Sequence, residues 1–521
     1  GDASRHEMLS EMTATVSSVF LGLTVGCAQC HNHKYDRIPT KDFYRMKAFF
    51  STVQLQRPLP GDIFQIGGPL PAEFYRKGEK EWATKLTEQR NAELGEARTL
   101  LAAFDKIEDL GKKSVPKISL TPEQREQRGK AKARVRLLEQ DLKRLQPVAM
   151  SLRHSYGPPF EPSVPETRIL NRGEWDKPGE VVEPGFPSVI TGHQNPAPIR
   201  LDPFKRWPTR SRRLALAQWI VSPDNPMTAR VMINRLWDWH FGRGLVATPS
   251  DFGKLSGGSS HPELIDWLAT EFVASGWDLK RLHRLIVTSA TYRQSSRAGA
   301  ELRERDPDNR LFARGPRHRL PSWMIRDQAL AAAGLVNLAM GGPSVRPYQP
   351  AGIWEEATFG KKTYVQDHGD ALHRRSLYVF WRRIVGPTTF FDSGSRQVCT
   401  VKVPITNTPM HALVTLNDPA YVEAARVLAQ RVLAGSADDP ARLSAAFRLT
   451  TARTPTPAEQ KILTARLATL RAHFAADPTA ARELSAIGEF ARPATLAPAE
   501  HAAWTALCLL VLNLDETLSK E

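Results

Sequence analysis

The sequence predicts a mainly α, multi-domain protein with a helical hairpin and a small β-rich insertion. Three observations carry this. Apolar residues recur at helical spacing through most of the chain, as at Met8, Met12, Val16, Val19, Phe20 and Leu23. Two charge-rich stretches, 79–110 and 121–146, follow one another with a Pro-containing break between them. Between 155 and 208 the chain turns Pro- and Gly-rich, with short β-prone pieces. The 521 residues are 41% hydrophobic and 24% charged, which suits roughly three or four globular units and excludes a disordered or collagen-like chain.

Taken in order, residues 7–25 read as a first helix running into Gly26-Cys27-Ala28-Gln29-Cys30-His31. Thr40 is placed to cap a second helix over 41–53, and 55–70 reads as loop. The segments 79–110 and 121–146 pair as an antiparallel hairpin, the second with an apolar stripe of Val135, Leu138, Leu142 and Leu145. Thr121-Pro122-Glu123 is a helix start. Thr167 to Leu170 and Ser188 to Thr191 are the β-prone pieces of the insertion. From 209 onward helices are expected at 210–221, 227–241, 262–274, 279–292 and 323–338, and again at 408–416, 420–433, 441–450, 457–474 and 501–517. β-prone chain separates the two groups at 376–381 and 390–403. The organisation expected is therefore 1–78 with the Cys-containing motif, the hairpin at 79–150, the insertion at 151–208, and a mostly helical domain at 209–521.

The net charge of +16 invites a nucleic-acid reading, but its distribution argues against one. Arg210, Arg212 and Arg213 form one short cluster and Arg374, Arg375, Arg382 and Arg383 another, each beside apolar chain, and no basic tail or recognition motif accompanies them. Attraction to an anionic surface or acidic polymer remains in play. The longest apolar runs, 19–25 and 506–512, fall far below the ~18 residues of a membrane span.

The chemistry is concentrated in Cys27-Ala-Gln-Cys30-His31, the C-x-x-C-H pattern of c-type haem attachment. Two thiols three residues apart on one turn match the two vinyl groups of a porphyrin, and the adjoining imidazole meets the iron from the same side, so His31 is the expected axial ligand. Three other readings stay open. Cys27, Cys30, His31 and His33 are also zinc-ligand types, although four ligands within seven residues strain a tetrahedron. A dithiol redox pair and a plain structural pair of thiols are the others. His33 is too close to His31 to reach the opposite face of the same iron and reads as a residue that orients the site or contacts a propionate. The formal candidates for a sixth ligand are Met8, Met12, Met46, His6, His154, His193, His240 and His411.

Elsewhere the signals are structural. His261-Pro262-Glu263 is a helix start, and Trp237, Trp239, Trp267 and Trp277 read as helix-packing aromatics. Asp367, His368 and Asp370 read as a polar loop, and Cys508 as a small buried residue. No G-x-S-x-G, P-loop or H-E-x-x-H pattern occurs, and no catalytic residue is assigned.

The stretch from Val19 to Asp36, Val-Phe-Leu-Gly-Leu-Thr-Val-Gly-Cys-Ala-Gln-Cys-His-Asn-His-Lys-Tyr-Asp, resembles the hallmark of the large planctomycete and verrucomicrobial cytochrome-c-associated proteins that pair two domains of unknown function. The second domain is resembled at Asn234-Arg-Leu-Trp237, Phe241-Gly-Arg-Gly-Leu245, Leu282-His-Arg-Leu-Ile286, Pro347-Tyr-Gln-Pro350 and from Asn407-Thr-Pro409 to Asp418-Pro419, among others. Arg37, Trp323, Pro404-Ile405 and His411 depart from the family's usual residues, while Asp392, Arg396, Cys399, Asn407 and Asp418 match it and read as a structural network. The resemblance implies an exported protein of periplasm or cell envelope, with a redox partner and a link to envelope or polysaccharide systems. It also implies that the chain is a processed or truncated piece, in keeping with its start at Gly1. Two functions follow as expectations: a haem c protein in electron transfer or haem-linked oxidation, or a non-enzymatic envelope or polysaccharide-binding protein with zinc or no cofactor at the motif.

Overall fold

The computed structural model describes residues 2–53, 56–59, 63–65, 67–71, 78–113, 120–145, 148–152, 165–192, 210–382, 385–394, 400–435 and 438–520. It is mainly α, and its strands form four two-stranded antiparallel pairs among the described residues. The chain divides into two compact units, one of 1–10, 44–185 and 197–215, the other of 11–43, 186–196 and 216–521. The motif segment thus folds with the C-terminal chain rather than with the rest of 1–78.

In the smaller unit the hairpin pairs Glu79–Lys113 with Pro122–Leu145. Leu138 is fully buried at the centre of the expected stripe, with Leu94, Phe104 and Ala131 also buried. Arg98–Glu139, Arg128–Asp105 and Arg134–Glu93 ion pairs join the two helices. Thr121 and Gln124 cap the second helix reciprocally: Gln124 Oε1 accepts the Thr121 amide at 2.9 Å and Thr121 Oγ1 accepts the Gln124 amide at 3.2 Å. The strands Gly67–Pro71 and Val148–Leu152 pair on either side of the hairpin, a closure missed where 55–70 was read as loop. Thr167–Leu170 pairs with Pro178–Val182 as expected of the insertion. Residues 153–164 and 193–209 of that insertion lie outside the described residues.

Among its described residues the larger unit holds two apolar cores. One forms around Pro226–Phe241 and Pro262–Ala274, with Ile233, Leu236, Phe241, Leu268 and Phe272 buried. Pro226 follows an Asn225 cap whose side chain accepts the Met227 amide at 3.0 Å, and Gly242 at φ 71° ends the helix. Asn234, fully buried, exchanges two hydrogen bonds with the Val246 backbone at 2.8 and 2.9 Å and so fixes the following turn. The other core lies around Pro419–Gly435 and Pro498–Leu512, where Trp504 and Cys508 are fully buried.

Several expectations are corrected here. Ser188–Thr191 is a helical turn, because Asp42 accepts both its first amide and the Ser188 hydroxyl, at 2.7 and 2.6 Å, as a helix start requires. At 376–381 only a 3-10 turn, Ser376–Tyr378, and an isolated Val345–Val379 bridge form. Trp239 and Trp267 are 65% and 51% exposed, on the outer faces of their helices, whereas Trp237 stacks on Phe241 and Trp277 packs edge-on against Phe272. No helix among the described residues is long and apolar enough to cross a membrane.

A buried polar cluster ties this unit together. Fully buried Glu423 accepts from the Phe490 amide at 2.7 Å and the Tyr348 hydroxyl at 3.1 Å, and lies 2.9 Å from His373 Nε2. Arg426, one turn on, donates to the Ile487 and Phe490 carbonyls. Burial alone would raise the Glu423 carboxyl, but the donors from His373, Phe490 and Tyr348 outweigh it and hold the group below its ordinary range.

Candidate functional site

The first helix, Asp2–Val16, gives way to a π-turn, Ser17–Leu21, and stops at Gly22. Gly22 has φ +60°, and a Cβ there would stand 2.7 Å from Phe252 Cδ2 and 2.9 Å from Val231 Cγ2, so only glycine fits. Its carbonyl accepts the Phe252 amide at 2.7 Å. The expected helix over 7–25 therefore ends early, at a close approach to another segment of the same unit. Val25–Ala28 is a 3-10 turn in which Val25 and Ala28 are fully buried. Those two anchors leave Cys27 and Cys30 exposed, neither in a disulfide.

The next ten residues are held by polar groups turned inward. His33 Nδ1 accepts the Tyr35 and Asp36 amides at 3.2 and 2.9 Å, so Nε2 carries the proton and donates to Thr24 Oγ1 at 3.0 Å. Asn32 Oδ1 accepts the Thr40 amide at 2.9 Å. Asp36 accepts the Lys254 amide at 2.7 Å and joins the loop to the Lys254–Ser256 turn. Thr24, Asn32 and Asp36 were not singled out as anchors from sequence; the polar run following the motif was the available signal.

His31 differs from His33. It is exposed, and its Nδ1 lies 2.7 Å from the Asn32 carbonyl, which can only accept. Nδ1 therefore bears the proton and Nε2 keeps its lone pair, the tautomer found when a ligating imidazole is oriented by a backbone carbonyl. The loop thus presents two free thiols and one imidazole lone pair outward. Both nitrogens of His33 are occupied within the loop. Among the described residues, no three His, Cys, Asp or Glu side chains gather as a metal cluster requires.

Among the described residues of the larger unit, no sixth-ligand candidate joins the loop in a cluster of ligating side chains. Met46 is fully buried in the smaller unit, and His6 lies 2.5 Å from Lys47 Nζ there. His240 Nε2 is 2.8 Å from His283 Nδ1, and burial, then the neighbouring His283 and Lys520 charges, lower its pKa to about 4. His411 is stacked on Phe391 and stands 3.7 Å from Asp392. His154 and His193, with Arg396 and Cys399, lie outside the described residues. Asp392 accepts the Thr406 amide and hydroxyl, both at 2.7 Å, Asn407 accepts from Arg319 at 2.9 Å, and Asp418 accepts from Thr388 at 2.7 Å and the Ala420 amide at 3.0 Å. The Asp418–Ala420 bond is a helix-start contact, and the others tie together segments well separated in the chain. His368 is paired with Glu489 at 2.7 Å in an exposed polar loop.

Comparison with protein families gives two matches. Residues 2–55 match the family described as PSCyt2, protein of unknown function (DUF1549), and residues 212–467 match PSD1, protein of unknown function (DUF1553). These paired domains of unknown function are the planctomycete cytochrome-c-associated families. In this chain the two matched segments are not structurally separate: 11–43 of the first and 216–467 of the second share one compact unit. The contacts Gly22–Phe252 and Asp36–Lys254 run between them. No curated protein and no solved structure matches the chain.

Proposed function

We propose that this chain is a c-type haem protein acting in electron transfer or a haem-linked oxidation in the periplasm or cell envelope. The observation that carries the reading is the outward Nε2 lone pair of His31 beside two exposed, unpaired thiols, on a loop whose other polar groups are satisfied internally. Cys27 and Cys30 would hold the group as thioethers, each sulfur bonding to one vinyl carbon while its proton goes to the other carbon, a redox-neutral addition. His31 would be the axial ligand, held in place by its bond to the Asn32 carbonyl. A bound haem supplies one-electron chemistry at a potential tuned by its ligands and surroundings. Zinc is less well served, since His33 has no nitrogen left to offer and a structural zinc site needs four donors.

The loop's electrostatics favour an acidic partner. Asp36 and Asp42, its two carboxylates, face inward onto backbone amides. Lys34, Arg37, Lys41 and Lys254 are exposed around the motif. An acidic redox protein fits that surface, and charge steering of such a pair weakens as salt rises. Thioether formation belongs to an exported protein, so the experiment is expression with cytochrome-maturation machinery and intact-mass analysis. A gain of one haem mass, absent in Cys27→Ser/Cys30→Ser, supports the reading. An unmodified chain from cells that load a control cytochrome refutes it.

A further inference from the structure

Arg375, one of the Arg374, Arg375, Arg382 and Arg383 cluster noted in the sequence, has no part in the proposed haem site and borders a cleft in the larger unit. That cleft encloses about 1160 Å³ between the Ser322–Ala333 helix and the chain around 376–394. Trp323, Met324, Leu338 and Leu377 line it and remain 42%, 49%, 67% and 72% exposed, so four of the large apolar side chains left in water converge on one opening. Phe380 and Phe390 continue the apolar wall.

Its charge is unbalanced. Arg375 lines the cleft, half-buried, with no ion-pair partner among the described residues. Behind the wall, Arg326 is 1% exposed and donates to the Arg374 and Leu372 carbonyls at 3.0 and 2.8 Å. Arg374, 8% exposed, donates to the carbonyls of Pro343, Ala339 and Gly341. Two carboxylates offset them: Asp327, 3.6 Å from Arg326, which also accepts the Ser376 amide and hydroxyl at 2.8 and 2.7 Å, and buried Asp418, whose charge also acts on Arg326 while it accepts from Thr388 and the Ala420 amide. Three guanidinium groups therefore stand against two already engaged carboxylates, neither of them paired with Arg375, beside a cavity where an opposite charge is attracted more strongly than in open water.

We infer that this cleft is a binding site for an amphipathic organic anion, a flat apolar body lying against Trp323 and Phe390 with its carboxylate on Arg375. The cavity exceeds what a bicyclic ligand needs, so the natural occupant is larger than a minimal probe. The site is independent of haem, and its test does not require haem loading.

The test is calorimetric titration of the purified chain with 2-naphthoate and with the neutral 2-naphthamide. Saturable one-to-one binding of naphthoate is expected, with naphthamide roughly tenfold weaker or worse. Arg375→Gln should weaken naphthoate by a similar factor while leaving naphthamide unchanged, and Arg375→Lys should recover part of the loss. Trp323→Ala should weaken both probes. Unchanged thermal unfolding of each variant shows that the fold is kept. The assignment is overturned by an absence of saturable naphthoate binding, by equal affinity for acid and amide, by indifference to Arg375→Gln, or by a neutral oligosaccharide such as cellohexaose occupying the cleft in place of naphthoate.

Discussion

The Cys27–His31 loop and the cluster around Glu423 use similar side chains to opposite ends. In the cluster, His373, Tyr348 and the Phe490 amide all converge on one buried carboxylate, and no donor faces outward. In the loop, His33 and Asp36 are saturated from within while His31 Nε2 and both thiols are left to solvent. A histidine bonded at both nitrogens supports the fold; one bonded only at Nδ1 retains the capacity to ligate. The difference lies in where the partners are, which residue type does not reveal.

Substitutions should separate the two regions clearly. Glu423→Ala leaves Arg426 and the His373, Tyr348 and Phe490 donors buried and unmatched, and should cost about 3–5 kcal/mol in denaturant unfolding. Gly488→Ala is expected next, at about 1–3 kcal/mol, because Gly488 has φ +90° and an added Cβ would run into the Glu423 side chain. His33→Ala should cost about 1–2 kcal/mol through loss of its bonds to Thr24, Tyr35 and Asp36, and should still permit thioether attachment at Cys27 and Cys30. Cys27→Ser/Cys30→Ser in haem-free protein should change stability by no more than about 0.5 kcal/mol, since both side chains are exposed. If the thiol variant is as damaging as Glu423→Ala, the motif is structural and the contrast collapses.

Acid should act on the larger unit through His240 before it acts on Glu423. His240 is held down to about 4 in the fold against roughly 6.5 in the unfolded chain, so the unfolded state takes up more protons between those values. Stability from this group is present above pH 6.5 and declines as pH falls toward 4. Glu423 is also depressed, so its contribution is present above the unfolded carboxyl value near about 4.3 and is lost only as pH falls through its lower folded value. Unfolding measured from pH 7 to 3 should show two successive losses, and His240→Gln should reduce the first, to which His318 and His501, also held down by burial, contribute the rest.

Helices were legible wherever an apolar period met a strong stop or start. Pro262–Ala274 was read to the residue, and Cys508 was placed correctly in a buried helix. The hairpin followed from its caps and the Leu138 stripe. The early stop at Gly22 was not legible, because it depends on Phe252 and Val231 arriving from far along the chain. The exposure of Trp239 and Trp267 was missed for a related reason: an aromatic on an amphipathic helix is read as inward until the packing partner is known. At the candidate site, the identities of Cys27, Cys30 and His31 were plain in the spacing, but the distinct tautomers of His31 and His33 needed the positions of the Asn32 carbonyl and the Tyr35 and Asp36 amides. The attachment of the loop to 252–254 adds a consequence that spacing could not supply: haem on this loop should raise the unfolding temperature of the unit containing 216–521.

The most direct test of the central claim is a pyridine haemochrome spectrum of the chain exported with cytochrome-maturation machinery, recorded after acid-acetone extraction has removed unattached porphyrin. The account predicts a c-type spectrum with one haem per chain, lost in Cys27→Ser/Cys30→Ser. In His31→Ala, the attached haem should show altered axial ligation in the native spectrum. A chain that emerges colourless from cells loading a control cytochrome, with stoichiometric zinc at Cys27 and Cys30, would contradict it.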